Sequence, residues 1–173
     1  GRMTRLSSIF ASKGPKMRTI EKTIYTFDEL DEYAKSRARE WYRSGLEYPW
    51  WAEVQSSLRE FCDEFGIKVL DYSIGGRGAF IRTDADNSNF RGRKLSQFDR
   101  EAMPTGFCFD SSLRYTFADE WKKTGDALES FKSALDAFVR EVENDIEYQY
   151  SDEAVEESIE ANGYEFDEGG HLA

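Results

Sequence analysis

Histidine is nearly absent: His171 is the only one in 173 residues. A Cys–His nucleophile needs an imidazole beside the thiol, so His171 is the only base either cysteine could use. Cysteine is scarce as well, with Cys62 in a helical pattern and Cys108 in a strand-like one. Two isolated cysteines supply neither a disulfide framework nor the ligand spacing of a zinc site. They fit a reducing cytoplasm. Long apolar runs are missing, which argues against a membrane-spanning helix. "MTRLSSIFASKG" is basic but lacks the apolar stretch of a signal peptide.

Bases are what the C-terminal part lacks most. Residues 136–173 hold 13 acids and one base, Arg140, whereas residues 1–20 hold five bases and no acid. The net charge of −11 therefore belongs to the C-terminal segment. Such a chain is repelled by nucleic acid and by anionic membranes, and it is attracted to basic partners.

Aromatics are abundant: thirteen Phe, nine Tyr and four Trp. That supply argues for a packed core over disorder. The length reads as one domain over 17–173, ending in an acidic segment at 136–168. Residues 1–16, rich in Ser, Gly and bases, read as a mobile basic arm or an upstream extension. Gly1 and Arg2 look like a cloning remnant, and Met17 offers a second start.

Periodicity predicts an extended segment at Arg18–Tyr25 and then a helix from Thr26 to Gly45. Thr26 and Glu29 have the spacing of a capping box, and Arg37, Arg39 and Arg43 suit the helix dipole. A second helix starts near Pro49, with Trp50, Val54, Leu58, Phe61 and Phe65 as its buried stripe and Gly66 as its stop. Trp50 and Trp51 read as core plus a half-exposed neighbour. "IKVLDYSIGG" and "GAFIRTD" alternate as a hairpin. "DADNSNFRGRKLSQFDREAMP" reads as a long polar loop, and Thr105–Phe117 as further strand. The longest helix runs from about Asp126 to Tyr150. Ser151 then caps a short helix that Asn162 and Gly163 stop, and "YEFDEGG" reads as an edge strand or tail. The fold class is α+β, a small antiparallel sheet packed against about four helices, with an acidic C-terminal helical segment.

Candidate chemistry is thin, and no catalytic residue, metal ligand or cofactor site is assigned. Gly75–Gly78 reads as a hairpin turn, since a phosphate cradle needs a helix directly after it. Asp84, Asp86 and Asn87 lack the glycine and the final Glu of a calcium loop. Cys108 reads as an inert thiol. Arg77, Arg82, Arg91, Arg93, Lys94 and Arg100 with Phe90 and Phe98 could contact nucleic acid, but a solvated loop fits better because Asp84, Asp86 and Asp99 dilute the field. The acids Glu141, Glu143, Asp145, Glu147, Asp152, Glu153, Glu156, Glu157 and Glu160 are the candidate partner-binding set. Interleaved Tyr148, Tyr150, Tyr164 and Phe166 predict that this segment is ordered and packed on the long helix. Its carboxylates, held in place, could then imitate a row of phosphates. The other reading is a solvated helix face.

"TIYTFDELDEYAKSRAREWYR" with "FGIKVLDYSI", and "LESFKSALDAFVREVENDIEYQYSDEAVEESIEANGYEFDEGG", resemble a family of phage and prophage proteins. That family is often described as an antitoxin of a toxin–antitoxin stability system. Its members carry a "QGDGAxF"-like hairpin, where "GGRGAFI" here puts Arg77 in place of the acid. The resemblance implies a mobile-element origin and a bacterial host. The expectation is a non-enzymatic acidic protein, in the cytoplasm of that host, that binds a basic protein partner and neither nucleic acid nor membrane directly. In one version it is a counter-defence inhibitor, anti-CRISPR or anti-restriction-like, masking a nucleic-acid-binding surface. In another it is an antitoxin neutralising its toxin. A third class is a small-ligand protein or enzyme using the glycine hairpin and the Trp50–Trp51 region.

Overall fold

The computed structural model describes residues 1–10 and 16–173, with the backbone alone for residues 2–10. It has the expected α+β class, with five α-helices and two small antiparallel sheets among the described residues. No helix there is long and apolar enough to cross a membrane. The chain divides into two compact units, residues 1–47 with 148–173, and residues 48–147.

The first unit begins with β1 (Arg2–Phe10), paired in antiparallel register with β2 (Lys16–Thr26). The span expected to be an arm thus includes a strand, and residues 11–15 of it lie outside the described residues. A single 3-10 turn, Phe27–Glu29, precedes α1 (Glu32–Ser44). This corrects the predicted start. Thr26 makes no side-chain cap, and Asp31 accepts the Ala34 N–H instead at 2.8 Å. The 3-10 turn separates Thr26 from α1, so Asp31 is the residue next to the free amides of the first turn. α5 (Asp152–Ala161) starts at its predicted cap, Ser151, whose Oγ accepts the Ala154 N–H at 3.2 Å. β5 (Glu165–Phe166) then pairs with β2 as an edge strand, giving the order β1-β2-β5.

Phe27, Leu30, Ala34, Ala38, Val155, Ile159 and Phe166 form the core of this unit. The C-terminal segment is ordered, and within this unit its seat is the first helix. α5 lies against α1, and the reason is volume. Ala34 and Ala38 leave room on α1 for the stripe Val155–Ile159 to approach. Trp41 packs edge-on to Tyr164 at 5.1 Å and to Phe166 at 5.9 Å, closing the end of that core.

The second unit is helical around a cluster of phenylalanines. α2 (Trp51–Asp63) begins after Trp50, so Pro49 lies just ahead of the helix. Trp50 is 39% exposed, against its expected place in the buried stripe, whereas Trp51 packs on the core and edge-on to Tyr48. The predicted hairpin is present as β3 (Val69–Ser73) and β4 (Phe80–Thr83), with a bulge between Val69 and Asp71. Thr105–Phe117 is not a strand. Its greater part belongs to α3 (Phe109–Thr124). Phe, Tyr and Thr favour strands locally, yet Phe109, Leu113 and Phe117 recur every fourth residue and are all buried, so packing overrides propensity. Cys108 consequently stands at the N-cap of a helix.

The intervening loop holds two 3-10 turns, Asn87–Phe90 and Leu95–Gln97, and it buries Phe90. Two of its bases make structural contacts. Arg93 lies over the Phe65 ring at 5.1 Å, and Arg100 lies over Tyr115 at 4.6 Å while pairing with Asp119. The long helix, α4 (Ala127–Gln149), lies where its periodicity puts it. Phe61 of α2 stacks on Phe131 of α4 at 5.4 Å and meets Phe117 of α3 edge-on at 5.7 Å.

Candidate functional site

The nine acids predicted as one set fall into two groups on separate units. Glu141, Glu143, Asp145 and Glu147 are on α4, and Asp152, Glu153, Glu156, Glu157 and Glu160 are on α5. The α4 residues, two apart, alternate between sides of the helix. Glu141 and Asp145 face Cys108, whose thiol is pushed up by burial and then by these two carboxylates. Asp145 also accepts the Tyr48 hydroxyl at 2.5 Å. Burial of Tyr48, followed by that hydrogen bond, drives its phenol far above the ordinary value. Asp145 is therefore a structural acceptor, and α4 presents no continuous acidic face.

The acids of α5 sort into two stripes. Asp152 and Glu156, four apart, turn toward α1. Arg39 Nη1 donates to Glu156 at 2.8 Å and its Nε lies 3.5 Å from Asp152. Arg43 hydrogen-bonds Asp152 and donates from Nε to the Tyr150 carbonyl at 2.9 Å. The Arg43 hydrogen bond, opposed in part by desolvation, holds the Asp152 carboxyl below the usual range. Two of the three arginines expected to serve the dipole of their own helix, Arg39 and Arg43, thus answer part of the acidic segment, whereas Arg37 hydrogen-bonds Tyr33 and His171.

Glu153, Glu157 and Glu160 make the second stripe, at spacings of four and three on the outward side. All three are exposed. Among the described residues no base lies within ion-pair distance of any of them. Asp28, from the 3-10 turn against α5, adds a fourth carboxyl. Its hydrogen bond to Glu160, followed by its charge, raises the Glu160 carboxyl above the ordinary value, and Glu156 and Glu157 push the same way. Tyr148 is 45% exposed, and its phenol is raised by Glu157 first and then Glu153, which places it at the stripe's edge. Asp28 escaped sequence reading because only the fold brings it to α5.

The stripe is held firmly. Val155 and Ile159 on the opposite side of α5 are fully buried, and the Ser151 cap fixes its start. Successive carboxylates are spaced ~4–6 Å along the helix axis, against one phosphate per ~3.4 Å along a nucleic-acid strand. The array is sparser than a phosphate row but of the same sign and preorganised.

The other loop and hairpin candidates among the described residues serve local structure. No group of His, Cys, Asp or Glu there could hold a metal ion. Asp84 accepts the Lys68 N–H and Asp86 caps the turn at Ser88, so these loop acids serve local structure. Gly75 and Gly78, at φ +91 and +69, form the hairpin turn. No known protein family, curated protein or solved structure matches this chain.

Proposed function

We propose that the protein is a non-enzymatic, acidic binding protein of phage or prophage origin. It acts in the cytoplasm of a bacterial host by covering the basic, nucleic-acid-binding surface of a defence nuclease or effector. The observation that supports this most is the stripe Glu153–Glu157–Glu160. A free acidic surface ordinarily relaxes its self-repulsion with nearby bases. Here Arg39 and Arg43 of α1 go to Asp152 and Glu156, and the outward stripe is left to a partner. Asp28 crowds the stripe further. A basic groove relieves that repulsion on binding, which favours association and speeds encounter. The antitoxin reading uses the same chemistry and differs only in the protein bound.

The test is capture from host lysate at low salt followed by competition. The partner should be a basic nucleic-acid-binding protein, and its own nucleic acid should displace it from the immobilised chain. A captured partner that binds this chain and its nucleic acid simultaneously contradicts masking.

A further inference from the structure

We propose that the cleft between α2 and β3 is a binding site for a small, flat, apolar molecule bearing one acidic group. Its volume is ≈ 480 Å³, within the range of small-molecule pockets, ~300–1,000 Å³. Leu58, Cys62 and Ile67 at its back are buried core residues, whereas Val69 and Tyr72 are partly exposed, so the apolar surface it offers is Val69 and the Tyr72 ring. Tyr72 of β3 supplies an aromatic wall, and its hydroxyl accepts from Gln55 Nε2 at 2.5 Å. That bond spans from α2 to the strand.

Polarity gives the ligand its sign. Arg59 and Lys68 both line the cleft and both are exposed. Asp63 is the one acid on the lining, four residues after Arg59 on the same side of α2, yet the two make no ion pair. Among the described residues no carboxylate lies within ion-pair distance of either cation. Asp84, the other acid near, engages the Lys68 backbone amide with Oδ1 at 2.7 Å. In a chain of net charge −11, two cations unanswered beside an apolar cleft are complementary to an anion with an apolar body. A carboxylate or sulfonate would take charge-assisted hydrogen bonds from the guanidinium and ammonium. Its ring system would lie against Tyr72 and Val69. Cys62 also lines the cleft. Burial first, then Asp63 and Asp84, pushes its thiol up to about 12, so it contributes packing and no negative charge at neutral pH.

The probe is anilinonaphthalene sulfonate, followed by fluorescence at about 0.15 M salt, where long-range repulsion by the acidic segment is screened. The uncharged analogue phenylnaphthylamine is measured beside it. The parent should bind the sulfonate one-to-one. The double variant R59Q/K68Q should lose about tenfold in affinity for the sulfonate, the scale of one charge-assisted contact pair, and keep its affinity for the neutral analogue. Gln55→Trp, at an exposed α2 position on the cleft, should abolish binding of both. Equal affinities of parent and R59Q/K68Q for the sulfonate, or binding that survives Gln55→Trp, would overturn the assignment. The variant E153Q/E157Q/E160Q should bind the sulfonate like the parent. Failure of this site and failure of the proposed function are therefore read separately.

Discussion

Arg39 Nη1 donates to Glu156 Oε1 at 2.8 Å, tying α1 to α5 through a guanidinium whose side chain is only 14% exposed. The pair divides the acids of α5 into those that hold the fold and those that face outward. Arg39→Met leaves Asp152 and Glu156 short of a shared cation beside three further carboxylates. It should lower stability by about 1 kcal/mol, the discount reflecting the partial exposure of both acids. Glu157→Gln removes a carboxylate with no cation partner and should leave stability unchanged or slightly higher. Urea midpoints of the two variants against the parent check this. Equal losses would mean that the two stripes do not differ.

Gly170 is the close-approach point of the C-terminal segment. Its φ is +81, and a Cβ placed there would lie 2.1 Å from the Ala34 carbonyl oxygen. Gly170→Ala should cost about 2 kcal/mol or more, from the left-handed conformation and from displaced backbone together. Gly163→Ala, with φ +67 but nothing near its would-be Cβ, should cost about 1 kcal/mol. Thermal melts of both variants give the comparison, and a Gly170→Ala protein as stable as Gly163→Ala would refute the contact.

The amphipathic helices were legible because their apolar spacing is long and regular: α4 through Leu128, Phe131, Leu135, Phe138 and Val142, α5 through Ser151 and its stop at Asn162–Gly163. Reading α3 failed because aromatic and β-branched residues outweighed a four-residue recurrence. The cap falls to Asp31 and not Thr26 because Phe27–Glu29 forms a separate 3-10 turn ahead of α1, which residue spacing alone does not reveal. At the candidate site, composition revealed the acidic end but not its division. That Arg39 and Arg43 face α5, that Asp28 joins Glu160, and that the four α4 acids sit on a different unit are all long-range facts. No local pattern encodes them.

Glu160 should titrate above an ordinary glutamate. Its folded-state value is raised, first through the hydrogen bond with Asp28. The stability it contributes is therefore fully present below the unfolded value and is lost as pH rises through the folded one. At neutral pH the pair is repulsive. Carboxyl carbon shifts followed by NMR should show the high midpoint for Glu160, and Asp28→Asn should bring it down. An unchanged midpoint in that variant would exclude the contact.

The two thiols should separate in reactivity. Cys62 is buried and its thiol is pushed up to about 12. Cys108 is exposed, though its thiol is also raised, by burial and then by Glu141 and Asp145. At neutral pH an aromatic disulfide reagent should modify one thiol slowly and the second only on unfolding. Cys108→Ser should abolish the native-state reaction. Relieving the negative field by Glu141→Gln should speed it.

Association kinetics show whether the outward stripe of α5 engages a basic partner. The variant E153Q/E157Q/E160Q removes three charges, keeps side-chain size and helix propensity nearly constant, and spares the Arg39 and Arg43 pairs. Stopped-flow or surface association with the captured partner is measured at low salt and at about 0.15 M, where the Debye length is ~8 Å. Association of the variant should be about tenfold slower at low salt, with a shallower dependence on salt. If it binds as fast and as tightly as the parent at low salt, the stripe is a solvated helix face and not a partner-binding surface.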